Sequence, residues 1–135
     1  MSKGSILFVC VENAGRSQMA EAFAKKAGLQ AASAGTVPSG RVNPTVVEAM
    51  KEKGLNISEK RPRMLTSGMI KEAGLVVTMG CSVEQMCPRP MLGQMQKKLI
   101  DWDLEDPKGK PISEVRRIRD EIEARVTELA RSALS

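Results

Sequence analysis

This sequence predicts an α/β fold, a parallel sheet covered by helices on both faces, on three observations. Short apolar runs at residues 5–9 and 75–79 read as buried strands. Between them lie segments whose apolar positions recur at three and four, the helical period. Strand and helix alternate along the chain, the order of βαβ units. The chain has 135 residues, 41% of them hydrophobic, so one domain spanning residues 1–135 with one core is expected. Only Phe8, Phe23 and Trp102 are aromatic, so Leu, Ile, Val, Met and Ala must fill that core.

Residues 5–9 form the first strand, which runs into Cys10. Residues 17–27 follow as a helix, with Met19, Ala20, Phe23, Ala24 and Ala27 at helical spacing and Gly28 closing it. Residues 29–33 read as a second strand. Residues 34–42, with Gly35, Pro38 and Gly40, read as loop. Asn43-Pro44 is a helix start, a capping side chain before a proline at the first helical position. This helix runs to Lys53, and Gly54 stops it. Residues 57–64 are basic and polar and read as an exposed connection. A short helix at 66–73 leads to a strand at 75–79. Residues 80–93 carry two cysteines and two prolines and read as loop or short helix. Residues 98–102 supply a fourth strand, and 103–110 a turn-rich loop. From Ser113 onward, Val115, Ile118, Ile122, Val126, Leu129 and Ala133 mark one face of a long helix whose charged residues face solvent.

The formal charge of +5 arises from 21 basic and 16 acidic residues. The basic residues are scattered and lack stacking aromatics, which argues against a nucleic-acid partner. No segment approaches the ~20 apolar residues of a membrane span, and no apolar leader precedes the first strand. A cytoplasmic protein with no membrane partner is expected. Three cysteines in such a chain suit thiol chemistry better than a disulfide framework. Histidine is absent, which rules out Cys-His and Ser-His dyads and most mixed zinc sites.

Parallel sheets bind ligands at the carboxyl ends of their strands. Cys10, the loop after Met79 and the loop after Trp102 all fall at that edge. In Cys10-Val11-Glu12-Asn13-Ala14-Gly15-Arg16-Ser17 a strand passes through a loop into a helix N-terminus. Backbone N–H groups of residues 11–17 there make an anion nest. Gly15 lets the backbone turn. Arg16 offers a planar fork for two oxygens of a tetrahedral oxyanion. The positive helix end and the arginine favour a thiolate, so Cys10 is the expected nucleophile. The Ser17 hydroxyl is placed to hydrogen-bond it. A leaving oxygen needs a proton, so a carboxylic acid is expected nearby. In "DWDLEDPKGK" the candidate is Asp106, held in a turn by Pro107.

The loop C-V-E-N-A-G-R-S resembles the C-x5-R-[ST] loop of the low-molecular-weight protein tyrosine phosphatase superfamily. The stretches "SQMAEAF", "SAG", "VNPTVVEAM", "LVVTMGC" and "WDLEDP" are similar to it too, so the resemblance spans nearly the whole chain. It implies a three-layer fold with a four-stranded parallel sheet, and Asp106 as general acid. Within the superfamily the sequence most resembles the three-cysteine arsenate reductases. That likeness implies a thiol relay in which Cys10 attacks arsenate and Cys81 and Cys87 resolve the intermediate. The final Cys81–Cys87 disulfide would be reduced by thioredoxin or a similar dithiol protein. No tightly bound cofactor is implied, and a monomer is expected.

The chain has no Tyr, and Lys108 follows Asp106-Pro107 where phosphatases of this fold usually carry aromatics. Both features favour a small inorganic ion over an aryl phosphate. Other readings stay open. A phosphatase could hydrolyse phosphate monoesters through a phosphocysteine, with Cys81 and Cys87 as ordinary thiols. The three cysteines could hold a metal. A thiol sensor could bind an oxyanion or metalloid, although no helix-turn-helix segment accompanies it. Some members of the superfamily hold a cation near the nest through Asn, Glu, Ser and Asp. Asn13, Glu21 and Ser33 match, but no Asp lies between Arg61 and Gly74. No metal is therefore expected, and Asn13 is expected to hydrogen-bond within the loop.

Overall fold

The structure, a computed structural model, describes residues 5–79 and 99–134. Four strands, β1 (Ile6–Cys10), β2 (Ala31–Gly35), β3 (Leu75–Thr78) and β4 (Leu99–Asp101), form one sheet in the order β2-β1-β3-β4. Every pairing is parallel. Helices α1 (Arg16–Lys26), α2 (Pro44–Lys51), α3 (Ser67–Glu72) and α4 (Ile112–Leu134) cover it. The expected four-stranded parallel sheet between helical layers is thus what forms.

β1 is buried along its whole length, which explains its uninterrupted apolar sequence. Its side chains alternate between two cores. Ile6, Phe8 and Cys10 meet Met19 and Phe23 of α1, Met50 of α2 and Ile118 of α4. Leu7 and Val9 meet Leu65, Ile70 and Val76 on the other face. Phe8 is fully buried and its ring lies 5.9 Å from that of Trp102. Truncating such a ring to alanine typically costs ~3–5 kcal/mol. α4 packs on α1 and α2 through Val115, Ile118, Ile122, Val126 and Ala130.

The chain leaves β1 to one side to form β2, then crosses back to form β3 on the other side. The carboxyl end of β1 is therefore the point where strand order reverses, the usual ligand crevice of such sheets. Cys10 is its last residue.

Several local expectations shift. β2 begins two residues later than the sequence suggests. Its residues AASAG offer no large apolar side chain, and its register comes from pairing, Ile6 with Ala31 through Cys10 with Gly35. Asn43 does cap α2, accepting from the Thr45 N–H, but the helix ends at Lys51. Turns then lead to Gly54, at φ +77°, a conformation that favours glycine. Residues 57–64 are not a simple exposed connection. Ile57 is 3% exposed in the main core, and Met64 forms a parallel bridge with Gly35. On α4, Arg119 is buried rather than solvated, donating to the Ala49 carbonyl and to Glu52. The segment with Cys81 and Cys87, together with Lys98 and the side chain of Ala133, lies outside the described residues.

Candidate active site

Cys10 is a buried free thiol at the end of β1. The loop that follows is shaped by its carbonyls. Those of Val11, Glu12 and Ala14 accept from the N–H groups of Val37, Ser39 and Asn43. A planar trans peptide carries its N–H opposite its carbonyl. The N–H groups of Glu12, Asn13 and Gly15 therefore point away from the 37–43 segment. The first N–H groups of α1, beginning at Arg16, have no acceptor within the helix. This is the geometry of an anion nest over a helix N-terminus.

Gly15 has a reason beyond the turn that its sequence position suggests. A Cβ there would come within 2.8 Å of the Pro107 ring, so glycine is required for the close approach of the 103–110 loop. The left-handed residue is Asn13, at φ 53°, a region that Asn tolerates better than most side chains.

Behind the thiol runs a directed chain of hydrogen bonds. The Arg63 backbone N–H donates to Asn13 Oδ1 at 2.9 Å. Asn13 Nδ2 donates to Ser17 Oγ at 2.7 Å, and Ser17 Oγ lies 2.8 Å from Cys10 Sγ. A backbone N–H can only donate, so it fixes which end of the Asn13 amide is oxygen. The other end must donate to Ser17, whose single proton is left for Cys10. The chain thus delivers a donor to the sulfur. Asn13 and Ser17 have no exposed surface. The expected bonding of Asn13 within the loop is present, and Gln18 Nε2 reinforces it by donating to its Oδ1 and carbonyl.

Arg16 donates Nη1 to the carbonyls of Met79 and Leu104, which tie α1 to the ends of β3 and of the segment after β4. Its Nε and Nη2 have no protein hydrogen-bond acceptor among the described residues and remain for a ligand. Nη2 lies 3.8 Å from Asp106 Oδ2. Asp106 is exposed, and its Oδ1 accepts from the Lys108 N–H at 3.0 Å, closing the turn around Pro107. Leu104 and Trp102 anchor this segment from inside, while Glu105 pairs with Arg117 and Lys110 outside. Those partners, Arg117 first and then Lys110, hold the Glu105 carboxyl below its ordinary range.

Cys10, Glu12, Ala14, Gly15, Arg16 and Asp106 line one cleft of about 280 Å³. Ser39, Arg41 and Lys108 add to its polar rim, and none of its lining residues among those described is aromatic. Across the rim Lys108 Nζ meets Glu12 Oε2 at 2.8 Å, and the Glu12 carboxylate raises the Lys108 ammonium above its usual range. Asn13 and Ser17 stand behind this cleft, and the Val11 carbonyl ties the loop to Val37. The expected site residues Cys81 and Cys87 lie outside the described residues.

Glu21 is a second buried group near this machinery. It is 1% exposed on α1, and Ser33 Oγ donates to its Oε1 at 2.5 Å. Lys25 and Lys60 hold its Oε2 at 2.7 and 2.9 Å. Burial opposes its ionisation, but the hydrogen bonds from Lys25, Ser33 and Lys60 prevail, so its carboxyl sits below the ordinary range. No group of three or more Cys, Asp or Glu side chains among the described residues could hold a metal ion. Sequence reasoning missed Lys60 and Arg63. The available signal was Glu21 itself, a carboxylate on the buried side of a helix that needs a cation.

A buried thiol at the switch point, a helix N-terminus and an arginine fork with two nitrogens unbonded among the described residues suit a tetrahedral oxyanion. Residues 5–135 match the family model of the low molecular weight phosphotyrosine protein phosphatases, and the chain belongs to that family. An arsenate reductase of Staphylococcus aureus (strain Newman) is 41% identical over 125 residues, which is 90% of this chain and 92% of that protein. Solved structures with the same fold include an arsenate reductase in the phosphate binding state. It is 32% identical, with a TM-score of 0.83, covering 96% of this chain and 98% of that one. An arginine phosphatase from Geobacillus stearothermophilus is 29% identical, with a TM-score of 0.85, covering 95% and 91%.

Proposed function

We propose that this protein reduces arsenate to arsenite through Cys10, Cys81 and Cys87. The observation that carries the reading is the cleft over Cys10, small, charged at its rim and without aromatic walls. It suits an inorganic oxyanion better than a phosphorylated aromatic ring. Likeness to the Staphylococcus aureus arsenate reductase and the two further cysteines of the sequence support the same reading.

In this mechanism the nest of residues 11–17 and the Arg16 fork bind arsenate. The Cys10 thiolate attacks arsenic, and Asp106 supplies the proton that lets one oxygen leave as water. The Cys81 thiolate then attacks the Cys10 sulfur. The arsenic–sulfur bond breaks, its electron pair stays on arsenic, and arsenite departs. Cys87 attacks Cys81, frees Cys10 and closes a Cys81–Cys87 disulfide. Thioredoxin or a similar dithiol protein reduces that disulfide by exchange. The enzyme acts as a cytoplasmic monomer without a tightly bound cofactor; among the described residues no helix is long and apolar enough to cross a membrane.

A second reading, phosphate monoester hydrolysis through a phosphocysteine, is favoured by the match to the phosphotyrosine protein phosphatase family and needs only Cys10, Arg16 and Asp106. One experiment separates the two. The protein is incubated with arsenate, thioredoxin, thioredoxin reductase and NADPH, and p-nitrophenyl phosphate hydrolysis is run alongside. Cys81→Ser is expected to abolish NADPH oxidation and to spare hydrolysis. NADPH oxidation at the parental rate in Cys81→Ser would refute the relay.

A further inference from the structure

We propose that Lys60 is a positioning residue for Cys10, acting through the peptide N–H of Arg63. The proposal rests on the reading of Cys10 as nucleophile and not on the identity of the oxyanion. At the far end of the chain Arg63–Asn13–Ser17–Cys10, two donors hold Asn13 Oδ1, the Arg63 N–H and Gln18 Nε2. If Arg63 withdraws, Gln18 Nε2 alone holds the Asn13 amide, which then loosens against Ser17 and weakens the hold on the hydroxyl that faces the sulfur. The position of a peptide fifty residues away in sequence thus bears on how firmly the donor is held against the thiol.

Two anchors hold that peptide. On its C-terminal side the Gly35 N–H binds the Arg63 carbonyl at 2.8 Å, and Leu65 N–H returns to the Gly35 carbonyl. On its N-terminal side the side-chain anchor is Lys60, whose ammonium reaches Glu21 across from α1. Glu21 in turn is locked by Ser33 of β2, so Lys60 is fastened to a buried and immobile group. Pro62 lies between Lys60 and Arg63 and stiffens the connection. Lys25 supplies an internal control. It pairs with the same Glu21 oxygen at 2.7 Å, but from the next turn of the same helix, so it ties no second segment in place.

The test measures the pH profile of Cys10 alkylation by iodoacetamide, in a Cys81→Ser, Cys87→Ser background where Cys10 is the only thiol. The charged groups lining its cleft, Glu12, Arg16, Arg41, Asp106 and Lys108, are untouched by either lysine substitution. Lys60→Met is expected to move the midpoint upward by about half a unit to one unit. Lys25→Met leaves it at the parental value, and Lys60→Arg, which keeps a tether, returns most of the shift. Where Lys60→Met is too unstable to assay, Lys60→Gln carries the same expectation at smaller amplitude. An unmoved midpoint in Lys60→Met or Lys60→Gln overturns the proposal. So do equal shifts in Lys60→Met and Lys25→Met, which would assign the effect to lost charge. A parental Cys10 that alkylates no faster than an ordinary thiol overturns the proposal and the nucleophile assignment together.

Discussion

The two walls of the cleft are built in different ways. On the nucleophile side, residues 10–17 are largely buried, and a directed set of hydrogen bonds reaches Cys10 from the interior. On the acid side, Asp106 and Lys108 are exposed and held by a turn and by surface ion pairs. Buried hydrogen bonds in a water-excluded setting are strong and unforgiving. Exposed pairs are worth little and are screened by salt. The loop of residues 10–17 is therefore rigidly held, while Asp106, the proposed acid, sits on a lightly held loop beside it.

This contrast can be broken in order of severity. Cys10→Ser is expected to lose arsenate reduction and p-nitrophenyl phosphate hydrolysis together, by ~10³-fold or more; retention of either activity above a tenth of the parent would remove Cys10 from the mechanism. Asp106→Asn should lower the rate of the first chemical step by ~10²-fold with an unchanged melting temperature, because Asp106 contributes a proton and no buried contact. Stopped-flow arsenate binding and turnover would separate that loss from weakened binding.

Two carboxylates test the same contrast through stability. Glu21 and Glu105 are both held below the ordinary carboxylate range, so the stability each adds is present above about pH 4.5 and is lost as pH falls through its folded value. Glu21→Gln strips a buried charge cluster of its centre and should cost ~3–5 kcal/mol in urea unfolding at pH 7. Glu105→Gln should leave the urea midpoint almost unmoved. Comparable losses in the two variants would erase the distinction between the walls. The smallest effect is expected for Lys108→Ala, a change in kcat/KM of less than ~3-fold that vanishes in 1 M salt.

The same distinction governs what the sequence made legible. The wall built from contiguous residues could be read directly. The apolar run into Cys10, then the loop, Arg16 and Ser17, are neighbours in the chain, and the structure places Ser17 against Cys10 as spacing suggests. Asp106 was readable because Asp-Pro marks a turn. What escaped was everything held at long range. Lys60 and Arg63 sit in a basic stretch with no periodicity, and their partners Glu21 and Asn13 lie 39 and 50 residues away. The reason for Gly15 escaped in the same way, since only the fold brings Pro107 against it. β2 was misplaced by two residues because its small side chains carry no pattern, and its register belongs to β1.

The most direct measurement is a single turnover without any reductant. Fully reduced protein is mixed with excess arsenate, quenched, and examined by intact-mass and peptide mapping while released arsenite is quantified. One arsenite per protein is expected, with a loss of two hydrogens and a disulfide joining Cys81 to Cys87 while Cys10 is again free. No arsenite, with all three thiols still reduced, would contradict the relay and leave a phosphatase-type site that only binds the ion.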